Sequence, residues 1–398
     1  MHSTTILPFE VEETILDILA EDNVDLSTLK TCSLVCQAFL PICRKHIFAN
    51  IVITDDLDDV EAPPVSAFVG LLLKRPQIVD VIRKLDYTLS DSIPTSTREP
   101  LQKALKTISK LESLTVRTTS GFDWRKIPIG PVLLQLLLLP TLTHFDVAGA
   151  KNFVASDLIP FVNLNYLRVG HSMTGTTKPT SPGASPERPI QLNEFVAEGG
   201  SGAVITRLLN ARRPDGQPLI DFASLSEIMM GFNQPIDVEA SQELFRRCHT
   251  LTDVRISYLN PFNVRPSLAH MLRPSMQPLK HIKVNVVVDD DDQDPLFGIP
   301  SELEDMRIKN IIETITIGIW VQGENCPEGS EWGRLDEVLT TPGWFSLKRV
   351  SLTIEIVSFG VCENSLVVAL RKLPETQFPR LSTSNSVSFD FEVISVFL

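Results

Sequence analysis

A phrase of six residues, apolar-x-x-apolar-x-apolar, returns ten times along this chain, and it constrains the fold more than any other feature. It reads IRKLDY at 82, LESLTV at 111, LTHFDV at 142, LNYLRV at 164, LNEFVA at 192 and LSEIMM at 225. It goes on as LTDVRI at 251, LKHIKV at 279, IETITI at 312 and LKRVSL at 347, and a degenerate copy begins at Leu381. Successive starts lie 29, 31, 22, 28, 33, 26, 28, 33, 35 and 34 residues apart. Side chains of a strand alternate between its faces, so the fourth and sixth positions share one side and the fifth points the other way. Each phrase therefore predicts a short strand with one apolar face. The following stretch has room for a helical or irregular return, as in EPLQKALKTISK before Leu111 and ASQELFRRCHT before Leu251. Stacked units of this kind bury a continuous core that no single unit could make.

This body resembles the leucine-rich-repeat family in its strand phrase, and the intervals are close to that family's, with some enlargement. It departs from the family where an Asn or Cys usually closes the phrase. Only Asn233 sits in register, with Thr119, Ala150, Ser172 and Gly200 at the corresponding places elsewhere. An α/β domain of another topology, with strands alternating with helices, is the competing arrangement.

The first fifty residues have a different period. PFEVEETILDILA, from Pro8, predicts a helix with acidic residues at its positive end and apolar residues at 11, 15, 18 and 19. Asp25 or Ser27 suits the cap of a second helix carrying Leu26, Leu29, Leu34 and Val35. A third apolar face runs through Phe39, Ile42, Ile47 and Phe48, with Pro41 at a helix start or kink. Three helices this short cannot cover all of their own apolar surface, so part of it should meet another element or a partner. Leu7-Pro8, the Ile-Leu pair of ETILDIL, and Val-Cys followed three residues later by an aromatic are together similar to the F-box family. The matching positions are Leu7, Pro8, Ile15, Leu16, Leu19, Leu29, Val35, Cys36 and Phe39, with Phe39 where many members carry Trp. An amphipathic three-helix start to any α-rich domain would show the same periodicity, and the Leu-Pro and Val-Cys elements tip the reading.

The resemblance implies residues 1–55 as helices that bind a Skp-type adaptor and, through it, a cullin scaffold. Residues 56–398 then form an irregular leucine-rich-repeat-like solenoid. The fold class expected is α/β, and the function implied is the substrate-recognition subunit of an SCF-type ubiquitin ligase, without catalysis of its own. Outward strand positions such as Arg168, Arg255, Lys283 and Ser351 become candidate substrate contacts by alternation alone. The alternative is a leucine-rich-repeat scaffold or regulator whose N-terminal helices only cap the solenoid.

Other features narrow the function. With 36 Lys plus Arg against 49 Asp plus Glu, the formal net charge is −13, which argues against nucleic acid as the main ligand. The acidic N-terminus lacks the pattern of a secretory leader, and the apolar run PVLLQLLLLP at 131–140 is too short to span a bilayer. A cytoplasmic or nuclear protein with no membrane partner is expected. Six scattered cysteines fit reduced thiols. Cys32, Cys36 and Cys43 cluster near His46, but a zinc site would need two helix faces to converge, and buried cysteines are the simpler expectation. No metal, cofactor or catalytic constellation is expected: Gly199, Gly200 and Gly202 lack the Gly-Lys-Ser/Thr ending of a phosphate loop and read as a repeat corner. Residues 171–190, rich in Pro, Ser, Thr and Gly, predict a mobile loop in which Ser181-Pro182 and Ser185-Pro186 are candidate phosphorylation sites. The acidic runs at 55–61 and 289–294 read as solvated loops, since neither has calcium-site spacing.

Overall fold

The structure, a computed structural model, describes the chain apart from residues 1–7, 23–25, 55–64, 90–94, 119–121, 125, 127–128, 152, 154, 160, 162, 171–187, 260–266, 289–293, 309, 323–325, 327–328, 359–363 and 398. Leu7, Asp25, Ser181, Ser185, most of the 171–190 loop and both acidic runs except Asp294 lie outside the described residues.

The helical start is present as α1 (Phe9–Asp22), α2 (Ser27–Val35) and α3 (Phe39–Ile47). Pro41 falls in the first turn of α3, where its missing N–H has no intrahelical partner to lose. Leu16, Leu29, Ile42 and Cys43 make a small buried core, with Leu19, Leu26, Cys32, Phe39 and Ile47 packed around it.

Every strand phrase then yields a strand that begins at its third residue. The chain forms two compact units, Met1–Leu164 with Gly175–Arg188, and Asn165–Thr174 with Pro189–Leu398. In the first unit β1 (Asn50–Thr54), β2 (Lys84–Leu89), β3 (Ser113–Thr118) and β4 (His144–Val147) are parallel neighbours in sequence order. In the second, β5 (Tyr166–Val169), β6 (Glu194–Ala197), β7 (Glu227–Phe232) and β8 (Asp253–Tyr258) continue the same way. They are followed by β9 (His281–Val288), β10 (Thr314–Val321), β11 (Arg349–Ser358) and β12 (Ser388–Phe397). Leu381, taken as the start of the degenerate phrase, instead lies buried in a short helix, and β12 begins seven residues later. Positions one, four and six of all ten phrases are buried, from Ile82, Leu85 and Tyr87 to Leu347, Val350 and Leu352.

β1 has no phrase to announce it. Asn50–Thr54 nevertheless pairs in register with Lys84–Thr88, which ties the end of the helical segment to the first strands. The two compact units meet in sequence at residue 165.

Most described returns carry an α-helix: α4 (Val65–Lys74), α5 (Thr95–Lys106) and α6 (Gly130–Leu137) in the first unit, where the return between β4 and β5 has a 3-10 turn at Ala155–Leu158. The second has α7 (Gly202–Asn210), α8 (Pro235–Phe245), α9 (Leu268–Leu272), α10 (Ile299–Met306) and α11 (Glu331–Thr340). It ends with α12 (Asn364–Leu370), α13 (Leu373–Thr376) and α14 (Pro379–Ser382). α7 buries Val204, Ile205, Leu208 and Leu209, one stripe at helical spacing, and packs on α8.

Carboxylates stitch neighbouring returns together. Asp237, buried near the start of α8, accepts from the amides of Gly200, Asn233 and Gln234 through Oδ2 at 2.9, 3.0 and 3.0 Å, and from Gly202 through Oδ1 at 2.8 Å. Asp336 of α11 likewise accepts from Arg380 and Leu381 at the start of α14, at 3.1 and 2.8 Å. Glu302 of α10 reaches the Ala269 amide of α9 at 3.1 Å, and Asp294 reaches the Glu331 amide of α11 at 3.1 Å. Each satisfies helix-start donors that have no intrahelical acceptor and places negative charge at the positive helix end. The glycines at 200 and 202 serve this corner: Gly200 has φ +82°, and a Cβ on Gly202 would lie 2.5 Å from the Ile236 carbonyl.

Candidate functional site

Two surfaces stand out. The first is the outside of the helical start. Leu16 and Leu29, two of the motif positions, point inward, and Leu19 and Phe39 pack against the same core. Pro8, Ile15, Val35 and Cys36 are at the surface. Apolar residues outside the motif accompany them: Phe9, Val11 and Ile18 on α1, and Leu34, which is 86% exposed next to Val35 at 68%. Val11, Ile15 and Ile18 follow i, i+4, i+7 spacing and so form one stripe. The signal for this stripe is in the sequence, because α1 carries more apolar positions than the pair at 16 and 19 that its core contact needs.

α1 is held to α3 on its other side. His46 Nε2 lies 2.5 Å from Asp17 Oδ1, and Lys45 approaches Asp17 at 3.4 Å and Glu13 at 3.7 Å. Burial pushes the Asp17 carboxyl up, but the His46 hydrogen bond and the Lys45 charge outweigh it and leave the group below its ordinary value. Cys43 is buried, Cys32 half-buried and Cys36 exposed. Burial, reinforced by Cys32, raises the Cys43 thiol above its usual value. Among the described residues no group of three or more His, Cys, Asp or Glu side chains could hold a metal ion. No described helix is long and apolar enough to cross a membrane.

The second surface is the outward strand face of the second unit. Arg168, Arg255, Lys283 and Ser351 fall on a single transverse row, which runs Arg168, Val196, Met229, Arg255, Lys283, Thr316, Ser351, Asp390. Arg255 and Lys283 are exposed. Arg168 is engaged by Glu198 at 2.8 Å. The row before it places Glu194, Glu227 and Asp253 side by side. Burial, then the neighbouring Glu227, pushes the Glu194 carboxyl up, against the pull of Arg255. On the other side lies a row of small residues in which Asn285 Nδ2 donates to Ser257 Oγ at 3.3 Å. Asn285 leans over Gly318, where a Cβ would come within 2.6 Å of its Oδ1. Beyond this trough stands Trp320, 40% exposed, which sequence reasoning passed over because it falls past the end of its phrase.

The buried carboxylates Asp237 and Asp336 are occupied by backbone amides rather than by a nucleophile or base.

No protein-family model matches this chain, and no curated protein matches it. Among solved structures, it is similar to a chain in the crystal structure of the yeast Rad7 and Elc1 complex, at 12% identity and a TM-score of 0.41 over 87% of this chain and 88% of that one. It is also similar to an internalin, inlF, from Listeria monocytogenes strain 4b F2365, at 12% identity and a TM-score of 0.31 over 83% and 89%. Neither likeness assigns an activity to this chain.

Proposed function

We propose that this chain is the substrate-recognition subunit of an SCF-type ubiquitin ligase: the helical start binds a Skp-type adaptor, and through it a cullin, while the outward strand face holds a protein substrate. The observation that carries the proposal is the helical start, a small core with exposed apolar residues on α1 (Val11, Ile15, Ile18) and at the end of α2 (Leu34, Val35). The chain contributes no bond chemistry in this reading. It fixes the distance between a captured substrate and the transfer machinery, so its contribution is proximity.

The contact residues are the exposed members of the motif, Pro8, Ile15, Val35 and Cys36, with Leu34 and Ile18 beside them. Leu16, Leu19, Leu29 and Phe39 act by holding the helices in place. Co-purification of the full chain with a Skp-type adaptor tests this. Ile15→Glu and Val35→Glu, both at exposed positions, should abolish capture while leaving the melting temperature unchanged. Capture that survives both substitutions defeats the assignment.

A scaffold whose helices only cap the sheet is favoured by one observation: Arg83 and Lys84 amides both donate to Ala49 O, at 2.8 and 2.9 Å, just after α3. Deleting residues 1–48 separates the readings. Capping predicts loss of stability in the first unit, and docking predicts loss of the adaptor.

A further inference from the structure

We propose that the chain self-associates by seating α1 of one copy in a groove between α4 and α5 of another. The groove has a volume of about 760 Å³, inside the range of roughly 300–1,000 Å³ typical of ligand-holding clefts. Its floor is apolar, built from Leu72, Leu73, Pro76, Val79, Pro100 and Ala104. Leu73 is 77% exposed, an unusual state for a leucine that already lines a concave surface.

Both walls are helices, whose backbone groups are already paired within themselves. An extended peptide laid there would bury unsatisfied amides, whereas an incoming helix brings its own hydrogen bonds. The rim decides which helix. Lys103 lines the α5 side next to Glu99, Lys106 lies three residues on from Lys103, and Lys74 and Arg75 follow Leu73, all four basic residues exposed. Lys74, Arg75 and Lys106 have no carboxylate partner among the described residues, and Lys103 has only Glu99, in a pair with both side chains 77% exposed. Such a pair is worth little and exchanges readily. In a chain of net charge −13, four basic residues on or beside the groove against Glu99 and Asp80 leave its surroundings locally basic, which calls for an acidic helix with an apolar stripe.

α1 is that helix. Its stripe of Val11, Ile15 and Ile18 is uncovered. Glu10 and Glu12 flank Val11 at about 100° on either side, and neither has a basic partner among the described residues. One chain thus carries both halves of a complementary contact, which closes as a reciprocal pair or propagates head to tail. The contact uses the same α1 stripe as the adaptor docking proposed above, so an associated chain has that stripe covered, but association is measured with no adaptor present.

Sedimentation velocity of the full chain over a range of concentrations tests the proposal. The wild type should show a mass that rises with concentration, and added salt should weaken the rise. Ile15→Glu, which spoils the helix, and Leu73→Glu, which spoils the groove, should each be monomeric. An equimolar mixture of the two variants holds one intact helix and one intact groove, and it should recover association, which also shows that both variants fold. A wild type that stays monomeric, association that survives either substitution, or a mixture that stays monomeric overturns the proposal. Flotation of the wild type with anionic vesicles that Leu73→Glu abolishes would reassign the groove to a lipid surface and overturn it as well.

Discussion

Leu29 is fully buried in a core that it shares with Leu16, Ile42 and Cys43. A core of this size has little surplus, and Leu29→Ala should destabilise the helical start by about 3 kcal/mol through lost transfer energy and the cavity left behind. Hydrogen exchange of α1 to α3 would register the loss there while the strands of the second unit keep their protection. Glu194 behaves oppositely, because the folded state works against its charge. Its carboxyl is raised by burial and by Glu227 above the value it has in the unfolded chain. Its protonated form costs nothing at low pH. As pH rises from the ordinary carboxylate value through the raised one, the unfolded chain gives up the proton first and stability falls. Glu194→Gln should therefore raise the melting temperature at neutral pH, and the gain should vanish in acid; a gain independent of pH would place its cause elsewhere. Cys248 gives a chemical readout of burial, which pushes its thiol up to about 12. In the native protein at pH 8, iodoacetamide should label Cys36 and spare Cys248 and Cys43, as read by mass spectrometry.

Among elements, the corner between α7 and α8 depends on a single carboxylate. Asp237→Asn keeps the shape but replaces one accepting oxygen by a donor, which then faces amides that are themselves donors. A cost of about 3 kcal/mol is expected from the unsatisfied buried groups, with Asp237→Ala at least as severe, checked by denaturant unfolding. Asp237 also takes the one position where the asparagine of the phrase is present. Asn233 occupies the expected register but is exposed, and its amide donates to Asp237 instead. The strands were legible because their pattern repeats: three apolar positions in each phrase, all of them buried. The carboxylate corners were not. Asp237 looks like any acidic residue in a helix's first turn, and its partners Gly200 and Gly202 lie 37 and 35 residues away. β1 escaped for a related reason, since NIVIT lacks the phrase and its strand state is decided by pairing with β2. The three N-terminal helices were legible as helices, but periodicity alone did not separate Ile15, which faces out, from Leu16, which faces in.

At the scale of the molecule, the main sheet of the second unit is a succession of parallel strands, with each inner strand hydrogen-bonded to the strand before and the strand after it. The outward row from Arg168 to Asp390 draws one residue from each strand, so any partner lying across it reads residues far apart in the chain. In the proposed role, replacing Arg255 and Lys283 together by Glu should weaken capture of an acidic substrate by about tenfold or more, with a small fall in melting temperature at neutral pH because Arg255 no longer offsets the Glu194 charge. Those are surface positions, where substitutions move stability by about 0.5 kcal/mol or less. The same nearest-neighbour pairing has a mechanical consequence. If residues 189 and 398 are drawn apart in a force instrument, β12 at the edge of the sheet is held by β11 alone, and the sheet opens like a zip from that end rather than failing all at once. Strand phrases in this unit recur every 26 to 35 residues, so each step should release a length on the order of 100 Å at about 3.4 Å per residue. The force trace is expected as a low, regular staircase, with a unit of length that the spacing of the phrases already contains.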